Sequence, residues 1–197
     1  MNILVYPYTT WDWDKGSEVE QERSEMSDNH ISVYEPNETI ITLGRRSASM
    51  DMPLKERAPY KVYEIDRDGG LSLHAPGHTL ITANLQLTEH LTKFRVYSKL
   101  AIAARKILEP IINKDITIGG EGLEVEGKRI ASLGLGVKDN KTFHGLSIYF
   151  ENHEVFAPFL MCSIQGVVAT SVSQYTSDYN KEEISNNIAY KRVDLLS

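Results

Sequence analysis

The chain of 197 residues carries a single cysteine, Cys162. One thiol excludes an internal disulfide framework and fits a reducing compartment. No apolar run approaches the roughly 20 residues needed to span a bilayer. The apolar stretch Ile3-Leu4-Val5-Tyr6 lacks the basic region and long hydrophobic core of a signal peptide. Positive charge is scarce as well: the formal net charge is −6, which gives no footing for nucleic-acid binding. The six histidines are scattered without the spacing of metal ligands. Internal repeats and low-complexity linkers are missing. These absences lead to the expectation of one cytoplasmic domain, residues 1–197, with no metal, no membrane and no nucleic-acid partner.

What is present suffices for a folded core. The chain is 41% hydrophobic and 24% charged, as expected of a soluble protein of this length. Strands are predicted at the N-terminus (Met1 to Tyr8), at Ile31 to Tyr34, Thr39 to Leu43, Lys61 to Ile65, Leu71 to His74 and Leu80 to Leu87. A polar helix is predicted from Ser17 to Met26, and residues 46–59 read as a loop. Val96, Leu100, Ala103 and Ile107 recur at helical spacing, so Val96 to Glu109 is the clearest helix, with Pro110 as its stop. Between Thr88 and Leu108 five lysines and arginines face one acid, Glu89. That stretch is either a solvated helix face or a surface that steers an acidic partner.

Three short strands, Ile116 to Ile118, Leu123 to Val125 and one from Lys128 to Val137, read as a meander turning at Gly119-Gly120 and Glu126-Gly127. Asp139-Asn140-Lys141 then turns the chain toward a strand at Leu146 to Phe150, completing a hairpin. A terminal helix is expected around Glu182 to Lys191. Strand-rich order with a few helices indicates an α+β protein of mixed sheets with flanking helices.

Cys162 admits two readings: a small buried hydrophobe, as the preceding Phe159-Leu160-Met161 suggests, or an acyl-accepting nucleophile. Its surroundings bear on the choice. Ile41-Thr42-Leu43-Gly44-Arg45 is followed by Arg67-Asp68-Gly69-Gly70-Leu71-Ser72-Leu73-His74-Ala75-Pro76-Gly77-His78. Then come Lys128-Arg129-Ile130-Ala131-Ser132-Leu133-Gly134, His144-Gly145-Leu146-Ser147, and Cys162 with Thr170-Ser171 eight residues on. Over about residues 31 to 175 this order resembles the octanoyltransferases of lipoate synthesis. Four positions depart from the family pattern. Arg129 stands where the family has lysine, and Asp68 where it has the first glycine of Arg-Gly-Gly. His74-Ala75-Pro76-Gly77-His78 replaces His-Gly-Pro-Gly-Gln, and Met161-Cys162-Ser163 replaces Pro-Cys-Gly.

The resemblance implies the fold of biotin and lipoate protein ligases. It also implies an acyltransferase that takes octanoyl from an octanoyl-acyl carrier protein onto Cys162 and passes it to a lysine of a lipoyl-domain acceptor, without ATP or other cofactor. Gln21 matches a glutamine that the family carries on a helix. Arg67 to His74 would line the acyl slot, with Gly77, Ser132, Leu133, His144, Leu146, Ser147 and Thr170 around it. Backbone amides near Gly134 and Gly145 would hold the oxyanion. Leu71, Leu73, Leu133, Leu146 and Ile148 would make the slot apolar.

A thiolate needs a nearby cation, because a cysteine of ordinary pKa about 8.5 is mostly protonated at neutral pH. Arg129 and Lys128 are the candidates, and neighbours in a regular strand point to opposite faces, which favours Arg129 unless Gly127 bulges. A guanidinium supplies charge but no proton transfer, leaving His74 and His144 as proton carriers or as structural hydrogen-bonding groups. Two other readings stand beside the transferase: an ATP-dependent lipoate or biotin ligase, and a non-catalytic acyl- or carrier-binding relative.

Overall fold

The computed structural model describes residues 2–25, 28–45, 60–65, 70–151 and 168–196. Two parallel strands open it, β1 (Ile3–Trp11) and β2 (Asn29–Pro36), with α1 (Trp13–Glu25) as the crossover that parallel pairing requires. A small sheet follows, made of β3 (Ile40–Leu43), β4 (Lys61–Glu64) and β5 (Leu71–His74) in the order β4-β3-β5. β6 (His78–Asn84) returns to the first sheet, and α2 (Lys93–Ile112) leads to β7 (Thr117–Gly119) and β8 (Gly122–Val125). β9 (Lys128–Lys138) and β10 (Lys141–Tyr149) complete a seven-stranded mixed sheet, ordered β1-β2-β6-β10-β9-β8-β7. α3 (Lys181–Leu196) follows a short 3-10 turn at Val172–Gln174. The expected α+β architecture of mixed sheets with flanking helices is what the chain adopts.

Turn chemistry sets the β8–β9 and β9–β10 hairpins. Asp139 and Asn140 take φ of 50° and 59°, and Glu126 and Gly127 take 51° and 73°. Paired positive φ in a two-residue loop twists the flanking strands the right way for a tight hairpin. The strand after Asp139-Asn140 therefore starts at Lys141, five residues ahead of the expected Leu146, and brings Phe143 and His144 into the sheet. The first meander turn falls one residue late, at Gly120-Glu121.

Both long helices start earlier than their periodicity suggests. α1 begins at Trp13 because that indole is buried against Tyr34, Ile40 and Leu80, a tertiary anchor within a polar segment. α2 begins at Lys93, where Thr92 Oγ1 accepts the Arg95 amide at 3.2 Å as an N-cap. It also runs through Pro110. Proline removes one backbone donor near the helix end, while Ile112 two residues on is buried in the core. Asn113, left-handed at φ 50°, ends the helix instead.

One face of the large sheet is roofed by helices. Val33, Ile81, Leu146 and Leu133 are successive partners across four strands. They pack with Leu100, Ala104 and Leu108 of α2 and with Ile184 and Ile188 of α3. Burying each such aliphatic side chain contributes about 1.5–3 kcal/mol. Inside this apolar layer Arg192 of α3 is fully buried, and its guanidinium has no hydrogen-bond acceptor among the described residues. Burial pulls its pKa down to about 9, so it still carries its charge at neutral pH.

Candidate active site

The opposite face is covered by α1 and the small sheet, and between them lies a cavity of about 210 Å³. Three separated stretches meet there: Gly70, Ser72 and His74 from the small sheet, Ser132 to Leu135 from β9, and His144 to Ser147 from β10. Strand alternation decides which residues of β5 take part. Ser72 and His74 face the cavity, so Leu71 and Leu73 face away and pack with Ile41 and Leu43. Ile148 lies in the helix-side core. The apolar part of the lining is therefore Leu133 and Leu146 together with Trp13, Ile65, Leu80 and Leu135.

His74 is the best-anchored polar group in the cavity. Its Nε2 lies 3.1 Å from Thr42 Oγ1, its Nδ1 3.5 Å from Ser147 Oγ, and its ring stacks on Trp13 with centroids 5.6 Å apart. It is 6% exposed. Across the cavity Ser132 Oγ and the Tyr149 hydroxyl share a hydrogen bond, and Tyr149 packs against His78 at 4.8 Å.

Gly134 and Gly145 are cross-strand partners. A Cβ on Gly145 would collide with the Ile81 carbonyl oxygen, so glycine is required for the close approach of β10 to β6. His144, just before it, has a φ of 60°, an uncommon conformation for a residue with a side chain inside a strand. It borders the 210 Å³ cavity and also a second, more polar one of about 620 Å³ toward α1. Trp13, Ile65 and Thr82 border both cavities too, and Thr82 Oγ1 donates to Glu20 Oε2 at 2.7 Å.

Arg129 and Lys128 part company. Lys128 is exposed, whereas Arg129 is 3% exposed and forms an ion pair with Glu124 at 3.0 Å. Its Nη1 also donates to the carbonyl of Glu121, a residue of the cavity wall, at 3.4 Å. The strand is irregular here, but at Ile130: Leu123 pairs with Ala131 and Glu124 with Arg129, leaving Ile130 as the extra residue. The segment after Cys162 returns to this point. Arg129 N donates to the Val168 carbonyl and Thr170 N to the Arg129 carbonyl, both at 2.8 Å. Thr170 thus stands beside Arg129, and neither residue lines the cavity directly. Gly77, at φ 86°, also stays outside it, donating its amide to Glu35 Oε1 at 3.0 Å. Cys162, Arg67, Asp68 and Gly69 lie outside the described residues.

Sequence reasoning missed several wall residues. Trp13 sits in a segment too polar to suggest burial, and Lys93 and Tyr97 extend the buried face of α2 into its first turn, ahead of the expected start at Val96. Tyr97 closes one end by donating its hydroxyl to the Gly120 carbonyl at 2.6 Å. The pattern Thr92-x-x-Arg95 at the cap was the available signal that the helix starts early enough to reach the cavity. Among the described residues no cluster of histidine, cysteine or carboxylate side chains is arranged to hold a metal ion, and no helix is long and apolar enough to cross a membrane.

Solved structures share this architecture. Lipoate-protein ligase A bound with ATP superposes with a TM-score of 0.77 at 12% identity, covering 100% of this chain and 86% of that one. The lipoate protein ligase of Thermoplasma acidophilum gives 0.70 at 10% identity, covering 99% and 84%. Biotin protein ligase from Aquifex aeolicus gives 0.58 at 11% identity, covering 100% and 68%. By sequence, an octanoyltransferase of Hydrogenovibrio crunogenus is 26% identical over 87% of this chain and 83% of its own length. A chloroplastic octanoyltransferase of Arabidopsis thaliana is 27% identical over 91% and 68%. The model of one family, the lipoyl protein ligase A/B catalytic domain, matches residues 7–191. With that match spanning nearly the whole chain, the protein belongs to the lipoyl protein ligase A/B catalytic domain family, as an acyltransferase related to the octanoyltransferases.

Proposed function

We propose that this protein moves an octanoyl group from an acyl carrier protein, through a thioester on Cys162, to a lysine of a lipoyl domain. The observation that most supports this is the convergence of three motif stretches, distant in sequence, on one cavity of partly apolar lining. In the first step the Cys162 thiolate attacks the donor thioester carbonyl, and the carrier's thiol leaves and takes up a proton. In the second the lysine amine attacks the enzyme thioester, the amide forms, the Cys162 sulfur leaves, and the amine's proton passes to a base.

In this scheme Arg129 supplies the cation for the thiolate. Glu124 at 3.0 Å offsets part of its field, so it stabilises a thiolate less than a free guanidinium would. Guanidinium cannot accept the amine's proton, which assigns that task to His74, held between Thr42 and Ser147. His74→Ala should slow lysine acylation by about 10²–10⁴-fold, the usual contribution of a positioned base. Arg129→Lys should speed the second step more than the first, because lysine can exchange a proton. Single-turnover measurements of thioester formation and of lysine acylation separate the two. The cavity should favour medium chains, since each buried methylene adds about 0.8 kcal/mol until the slot is full. Equal labelling by two-, eight- and sixteen-carbon donors would count against that.

The deciding experiment is the intact mass of the protein after incubation with octanoyl-acyl carrier protein. An octanoyl adduct that Cys162→Ser abolishes is the expected result. Acylation that instead needs ATP and free octanoate would identify a ligase, and binding without any adduct would identify a non-catalytic relative.

A further inference from the structure

The solvent face of α2 differs from the rest of the chain in charge. The protein as a whole carries −6, yet from Lys93 to Lys106 the helix has five basic residues and no acid. Arg95, Lys99 and Lys106 recur at i, i+4 and i+11, which places them on one stripe opposite the buried Val96, Leu100, Ala103 and Leu108. At 1.5 Å per residue that stripe is about 16 Å long. Arg105 is held by Glu109 at 2.8 Å, whereas Arg95, Lys99 and Lys106 form no ion pair among the described residues. A solvated face explains charge, but it does not explain Phe94. That ring is 77% exposed, more than any other large hydrophobic side chain among the described residues, and it precedes Arg95 in the first turn of the helix. Its neighbours in the same turn, Lys93 and Tyr97, line the cavity.

We propose that Phe94 with Arg95, Lys99 and Lys106 forms the docking surface for an acidic acyl-donor protein, whose tethered thioester enters the cavity past Lys93 and Tyr97. This rests on the acyl-transfer reading and adds the surface on which the donor is received. Complementary charge raises the encounter rate and aligns the partner, while an exposed aromatic ring next to Arg95 gives it an apolar anchor to desolvate. Lys93 and Tyr97 lie on the sheet-facing side of the helix, so the donor arm passes around its N-terminal turn to reach the cavity.

The test uses the whole protein and dye-labelled octanoyl-acyl carrier protein, followed by fluorescence anisotropy at low and physiological salt. Arg95→Glu with Lys99→Glu should weaken carrier binding about tenfold or more and flatten its salt dependence. Phe94→Ser should weaken it at both salt concentrations. Thioester formation from S-octanoyl-pantetheine, which brings no protein surface, should proceed at the wild-type rate in both variants, and this also verifies that they fold. Carrier affinity unchanged by the charge reversal overturns the proposal, and so does a loss that appears only for the lipoyl-domain acceptor. The binding titration needs no turnover. A wild-type protein that binds the carrier yet transfers nothing therefore refutes the transferase reading while leaving the docking surface supported.

Discussion

Adjacent rows of residues cross the same four strands of the large sheet, and they could hardly differ more. Val33, Ile81, Leu146 and Leu133 form one row, flanked by Ser32, Thr82, Gly145 and Gly134 on one side and by Tyr34, Leu80, Ser147 and Ser132 on the other. The first row is entirely branched aliphatic and meets the helices, although its Leu146 and Leu133 also reach the cavity wall. The other two are small, hydroxylated or aromatic apart from Leu80, and their β6, β10 and β9 members border the cavity. Apart from the half-buried Gly134 and Gly145 all are buried, so exposure alone does not separate the rows. The difference is what covers each face: α2 and α3 demand close apolar packing, whereas the cavity needs groups that leave space and offer hydrogen bonds. A slip of one residue in register would exchange the two sets, which makes the register of β6 and β10 a functional as well as a structural requirement.

The sharpest way to break this contrast is to truncate the helix-side row. Ile81→Ala removes a fully buried side chain and should cost about 2–5 kcal/mol in urea denaturation. Gly145→Ala attacks the cavity side at its tightest point, where the new Cβ meets the Ile81 carbonyl. It should cost about 1–3 kcal/mol and disturb the cavity, and an unchanged midpoint would show that β10 can move away from β6.

Arg192 tests the helix side from the opposite direction, as the one charged residue fully buried there among the described residues. Arg192→Met keeps similar volume, removes a desolvated charge without an acceptor, and should stabilise the protein by about 1–4 kcal/mol. Because the folded-state pKa is depressed, the unfolded chain holds more protons above pH 9, so wild-type stability gains as pH rises through that value. The advantage of Arg192→Met should therefore be full at neutral pH and shrink as pH rises past about 9. The smallest stability change is expected for Ser147→Ala, within about 0.5 kcal/mol, since its bond to His74 is long at 3.5 Å. Lysine acylation should nevertheless slow, because His74 loses one of the groups that orient it.

Much of this was visible in the chain itself. Period-two patterning located most strands, Glu126-Gly127 and Asp139-Asn140 marked the hairpins, and the spaced motifs pointed to the acyltransferase family. The errors fall where a distant contact overrides a local preference. Trp13 extends a polar helix because Tyr34 and Leu80 bury it, and α2 passes Pro110 because Ile112 has a place in the core. The resemblance of Arg67 to His74 to the family segment, with their apolar character, assigned the leucines of β5 to the acyl slot. Which face of that strand meets the cavity depends on pairing with β3, and it is Ser72 and His74 that do.

Local chemistry in the sequence determined the alternation of each strand, the tight turns and the motif order, because these depend on residues within a few positions of one another. The tertiary structure decided the rest. It opposed Lys128 and Arg129, gave Arg129 the partner Glu124, and set Thr170 beside it by pairing a later segment with β9. It brought Trp13, Lys93 and Tyr97 to a cavity otherwise built from motif residues. It also left Phe94 exposed, one residue after the cavity-lining Lys93. Those outcomes depend on how the sheets and helices of the described residues close on each other, and a residue's neighbours across that closure are tens of positions away in the chain.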